Sequence, residues 1–176
     1  MAVRPDDNSL TETHEDITPE GNTDTSPGVV MPPGQTGEPG WLAAVRPFLG
    51  TWTLVPQESR YEDGNPPRTA TQRIELIEGR VVFHVEAVLE DGWDVTYVLS
   101  RTPDGVDRPH PDPDVADIVS ARVEGRTFET VSRRAGKVMR RTVRTLSPDG
   151  NRLIVQQDGY TQFGQRFRNH SVYQRA

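Results

Sequence analysis

The chain has 176 residues, with 20 Lys and Arg against 26 Asp and Glu and no cysteine. That length holds one domain plus an appendage, and the missing cysteine excludes disulfides, thiolate metal sites and thiol nucleophiles together. No apolar run reaches the length of a membrane helix and the start lacks the basic and hydrophobic parts of a secretion signal, so a cytoplasmic protein with no membrane partner is expected.

Residues 1–40 carry eight acids (Asp6, Asp7, Glu12, Glu15, Asp16, Glu20, Asp24, Glu38) against Arg4, with six prolines and five glycines. Such a stretch buries too little apolar surface to offset the entropy of ordering it, which predicts a disordered acidic tail. Setting the tail's −7 against the chain's −6 leaves the other 136 residues at +1. A nearly neutral body with few aromatics among its basic residues argues against a nucleic-acid partner.

The folded part is expected over 41–176. Trp41, Leu42, Val45 and Phe48 recur at helical spacing, predicting a short helix that ends near Pro47 and plugs one end of a barrel. Gly50 to Leu54 alternates with period two and opens the first strand. Pro56, Gly64, Pro66 and Pro67 mark 55–69 as a long connection. Further strands are predicted at 70–78, 80–90, 93–101, 117–123, 127–134, 137–147, 152–160 and 166–175, cut by tight turns such as Glu78-Gly79, Asp91-Gly92, Ala135-Gly136 and Pro148-Asp149-Gly150. The intervals admit one strand and a turn but no crossover helix, so neighbours pair antiparallel. An all-β, up-and-down barrel of about 8–9 strands removes the exposed edges that such a meander would otherwise carry, and leaves room for one small ligand.

Strand parity selects the interior. Phe83, Val85 and Ala87 share one face, and Trp93, Val95, Tyr97 and Leu99 share the next. Strand 137–147 leaves the choice open, because Arg140, Thr142, Arg144 and Leu146 alternate with Met139, Arg141, Val143 and Thr145. If the first set points inward, Arg140 and Arg144 can hold a carboxylate or an enolate; if outward, they pair with the tail or with Glu124 and Glu129. Tyr97, Tyr160 and Tyr173, with Gln156 or Gln157 and Asn169, supply neutral donors for a cavity. The histidines, His14, His84, His110 and His170, lack ligand spacing, and the aspartate-rich loop from Asp104 to Asp117 lacks calcium-loop spacing and is stiffened by Pro109, Pro111 and Pro113. No phosphate or dinucleotide loop occurs, so neither metal nor cofactor is expected.

From Phe48-Leu49-Gly50-Thr51-Trp52 through Ser59-Arg60-Tyr61 and Gly64-Asn65-Pro66-Pro67, the chain resembles the opening of bacterial lipocalin-like proteins of the calycin group. Asp114-Val115-Ala116-Asp117, Gly136-Lys137-Val138, Leu146-Ser147-Pro148-Asp149-Gly150 and Asn169-His170-Ser171-Val172-Tyr173 extend the resemblance over roughly 41–175. It implies a lipocalin-like barrel with an internal ligand site, and Trp52 packed at the closed end against Arg166, Arg168 or Arg175. It implies no chemistry, since such barrels serve carriers and enzymes alike.

The expected function is binding of a small, mostly apolar and possibly acidic molecule by a monomer or homodimer. Phe83, Val85, Ala87, Trp93, Val95, Tyr97 and Leu99 form the wall, and Arg140, Arg144 and Tyr160 the polar anchors. The alternative is a cofactor-independent cyclase or isomerase of a polyketide-like substrate, with Tyr97, Tyr160 and Arg140 as the catalytic candidates. A third class is an interaction module whose acidic tail docks on a basic partner. Val29-Val30-Met31 gives the tail an apolar cluster with which to act as a lid.

Overall fold

The computed structural model describes residues 37–176, so the tail expected over 1–40 lies outside the described residues except for its last four. Helix α1 (Gly40–Val45) runs into a single 3-10 turn, Arg46–Phe48, in which Pro47 occupies an early position that needs no backbone donor. Eleven strands follow among the described residues: β1 Gly50–Leu54, β2 Arg60–Tyr61, β3 Thr69–Ile77, β4 Arg80–Val88, β5 Asp94–Arg101, β6 Arg108–Pro109, β7 Ile118–Glu124, β8 Thr127–Arg134, β9 Lys137–Leu146, β10 Arg152–Tyr160 and β11 Arg166–Arg175. The nine long ones match the expected strands. The two additions are two-residue strands inside proline-rich connections, too short to carry a readable period.

All pairings are antiparallel, in the order β5-β4-β3-β1-β11-β10-β9-β8-β7-β6, with β2 also on β11. β4 and β8 stand six places apart in this order, which in a flat sheet means roughly 29 Å. Yet the Phe83 and Phe128 rings on those strands meet edge to face at 5.3 Å. The sheet is therefore curled on itself, apolar face inward. Its ends, β5 and β6, share no ladder, and Pro109 has no N–H to offer one.

One end of the curl is closed. α1 packs against β7, and Val45 and Phe48 enter a core with Trp52, Ile74, Val81, Phe83, Phe128 and Leu153, all at most 1% exposed. Trp52 Nε1 donates to the Phe48 carbonyl at 2.9 Å, and the Arg175 guanidinium lies 4.2 Å from the Trp52 ring centre. Arg175 also donates to the carbonyls of Leu49 (2.9 Å), Pro47 (2.7 Å) and Gly150 (3.1 Å). Of the three arginines that the resemblance offered for Trp52, Arg175 is the partner. Gly50 makes this fit possible: its φ is 123°, and a Cβ there would lie 3.1 Å from Arg175 Nη1. No helix among the described residues is long and apolar enough to cross a membrane.

Candidate functional site

The face of β9 is settled by its neighbours. Leu146 pairs with the fully buried Leu153, and Arg144 pairs with Val155 and Phe128, so Arg140, Thr142, Arg144 and Leu146 turn inward. Arg144 is 5% exposed and crosses the lumen. Its Nε donates to Gln72 Oε1 on β3 at 3.3 Å, and its guanidinium stacks 4.3 Å from the Phe83 ring centre on β4. Burial pushes this guanidinium down to about 10, against the pull of Tyr97 and Tyr173. The contact divides the interior into a packed apolar lower half and a mixed upper half toward the Asp91-Gly92 and Ala135-Gly136 turns.

Two residues further up, Ala70, Ala87 and Val95 lie in register on β3, β4 and β5 and give that wall its small apolar surface. Facing it, Arg140 on β9 places its guanidinium 5.5 Å from the Phe167 ring centre, while its Nε is buried without a hydrogen-bond partner. Gly159 sits between Arg140 and Phe167 in the ladder, and a Cβ there would fall 2.5 Å from the Met139 carbonyl oxygen. Tyr97 pairs with Val85, which pairs in turn with Gln72; burial raises the Tyr97 pKa, with Arg144 and Arg140 opposing. It is therefore a neutral phenol, able to donate a hydrogen bond. At the rim Tyr61 on β2 shares a 3.1 Å hydrogen bond with Ser171 on β11.

The charges are sorted by face. Arg101, Arg140 and Arg144 point inward, whereas parity puts no Asp or Glu on the inward face of any long strand. The one buried carboxylate among the described residues, Glu129, faces outward and is held by Arg122 at 2.6 Å and Arg141 at 2.5 Å. Burial pushes the Glu129 carboxyl up, but those arginines outweigh it and leave the group below its usual range.

The expected site residues divide accordingly. Phe83 and Val85 belong to the packed interior at 1% and 4% exposure, while Ala87, Val95, Tyr97 and Leu99 are half-buried on the inward face. Trp93 is a correction: it is 64% exposed and precedes β5, because the Asp91-Gly92 turn, with Gly92 at φ 90°, breaks the alternation before Asp94. Tyr160 is a second correction. Buried Leu153 and Val155 fix the parity of β10, so Gly159 points inward and Tyr160 outward, beneath Lys137 Nζ at 4.8 Å. Gln72, Arg101 and Phe167 were missed, although Gln72 alternates with Ala70 and Ile74, and Arg101 continues the face of Val95, Tyr97 and Leu99.

No protein-family model matches the chain, and no curated protein matches it. Among solved structures, the ileal bile acid-binding protein of zebrafish, crystallised with cholic acid, aligns at 11% identity and a TM-score of 0.43 over 74% of this chain and 99% of that one. Lipid binding protein 8 of Caenorhabditis elegans aligns at 14% identity and a TM-score of 0.48 over 74% and 96%. The siderocalin Ex-FABP aligns at 12% identity and 0.36 over 74% of each.

Proposed function

We propose that the chain binds a small, mostly apolar molecule with one acidic group, its acid directed down toward Arg140 and Arg144 and its body against Ala70, Ala87 and Val95. A single observation supports this: among the described residues, the inward faces of the long strands hold arginines but no carboxylate. A buried guanidinium that nothing neutralises is costly, and Gln72 and Phe83 hold Arg144 without cancelling its charge. A ligand carboxylate accepting from both arginines, with the Tyr97 hydroxyl as a further donor, supplies that charge in geometry suited to guanidinium. Because Arg144 and the core below it, including Trp52, Phe83 and Phe128, block the lower half, the ligand is short or projects from the mouth. In this role the protein is a cytoplasmic carrier acting as monomer or homodimer. Nothing favours the cyclase alternative, and Tyr160, one of its three candidates, lies outside the lumen.

The test is calorimetric titration of the full chain with a medium-chain alkyl carboxylate and with its methyl ester. The acid is expected to bind about 10–100-fold tighter than the ester, with the advantage lost in the Arg140→Met, Arg144→Met double variant. Equal affinity for acid and ester in the unaltered chain overturns the reading.

A further inference from the structure

A second basic site lies where the barrel is not closed by hydrogen bonds. Between the free edges of β5 and β6 is a pocket of about 50 Å³, lined by Arg80, Arg101 and Arg108 with Thr102, Pro109 and Ala121 among its walls. That volume holds a few waters or one small oxyanion. No carboxylate lines it. The nearby acid, Asp104, is already bound by Arg108 through Nη1 at 2.8 Å and Nη2 at 2.6 Å, and those bonds hold its carboxyl at about 2.

Of the three, Arg101 is the one with a buried donor left unmatched. Its Nη1 donates to the carbonyl of Ser100 at 2.7 Å, but its Nε is buried with no hydrogen-bond partner. Burial first, and Arg80 second, push its guanidinium down. Arg80 makes no side-chain hydrogen bond among the described residues. Arg80 and Arg101 belong to the β4–β5 edge and Arg108 to the β6 edge, so like charges face one another across a gap that no backbone bond spans. The prolines at 109 and 111 remove the donors with which the β6 side would otherwise close it.

We propose that this seam pocket binds a small oxyanion of the phosphate class, which bridges Arg101 and Arg80 on one edge to Arg108 on the other and so closes the barrel ionically. An anion there offsets the charges of Arg80 and Arg101, adds a contact to Arg108, and accepts from the orphaned Arg101 Nε. The site meets the interior at Arg101, which points inward, but it uses neither Arg140 nor Arg144.

The test is thermal unfolding of the full chain with inorganic phosphate, against sodium chloride at equal ionic strength. Phosphate is expected to raise the midpoint by about 2–4 °C at saturation, and to slow amide exchange along β5 and β6. Arg101→Met is expected to abolish both effects, and the exposed Arg80→Met to weaken them while leaving alkyl carboxylate binding in the lumen intact. Should Arg101→Met not fold, the exposed Arg80→Met serves, with phosphate affinity reduced severalfold. An equal rise with chloride, or an undiminished phosphate effect in whichever variant folds, overturns the proposal. Failure of the lumen reading leaves this result unaltered, and the reverse holds too.

Discussion

Arg144 shows at single-residue scale how binding and stability pull apart. Its folded pKa lies below the ordinary arginine value, so near neutral pH the buried charge opposes folding. Even a buried ion pair can often be replaced by apolar side chains of similar volume with no loss, or with a gain of about 1–4 kcal/mol, and a buried charge with no counter-charge has less to lose. Arg144→Met is therefore expected to raise the denaturation midpoint of the ligand-free chain while removing its preference for an acid over an ester. A variant markedly less stable than the parent would show that Gln72 and Phe83 already compensate the charge. The inward turn of Arg144 was not legible from its own strand, where arginines and threonines occur on both faces. It became so only through long-range pairing, Leu146 with Leu153 and Arg144 with Val155, which no local pattern reports.

At the scale of an element, β10 carries the tightest constraint. Gly159 lets β9 and the Phe167 ring approach so closely that a methyl group has no room. Gly159→Ala is expected to cost about 1–3 kcal/mol through displaced backbone, and to weaken carboxylate binding because Arg140 sits opposite. Urea unfolding and titration of the same variant check both, and an unchanged midpoint would place the strands further apart than described. The nine long strands were legible because Gly-containing turns and period-two runs such as Val81, Phe83 and Val85 agree. β2 and β6 were not, since a two-residue strand has no period. Trp93 misled because the strand was begun one residue early, at the edge of the Asp91-Gly92 turn rather than at Asp94, and Tyr160 because its strand's parity depends on the core residues Leu153 and Val155.

For the whole molecule, the separation of arginines inside from Glu129 outside sets the response to acid. The folded pKa values of Glu129 and Asp104 lie below the ordinary carboxylate range, Asp104 at about 2. Between folded and unfolded values the unfolded chain binds more protons, so stability present above about pH 4 declines as the pH falls through that window. The partners of Glu129, Arg122 and Arg141, are more than half exposed, so screening keeps the contribution modest. Unfolding followed from pH 6 to pH 2 is expected to lose stability mainly at the acid end, and Glu129→Gln to flatten that loss; an unaltered profile would assign it to other carboxyls.

Arg175 has a mechanical consequence. β1 and β11 are antiparallel neighbours, with Gly50 and Arg175 at the same end of the ladder. Tension applied at those two points peels the strands apart one bond at a time, the geometry in which a sheet resists force least. The Arg175 side chain, stacked on Trp52 and holding three carbonyls, is the latch at the point of loading, and the force needed to start the tear is set there.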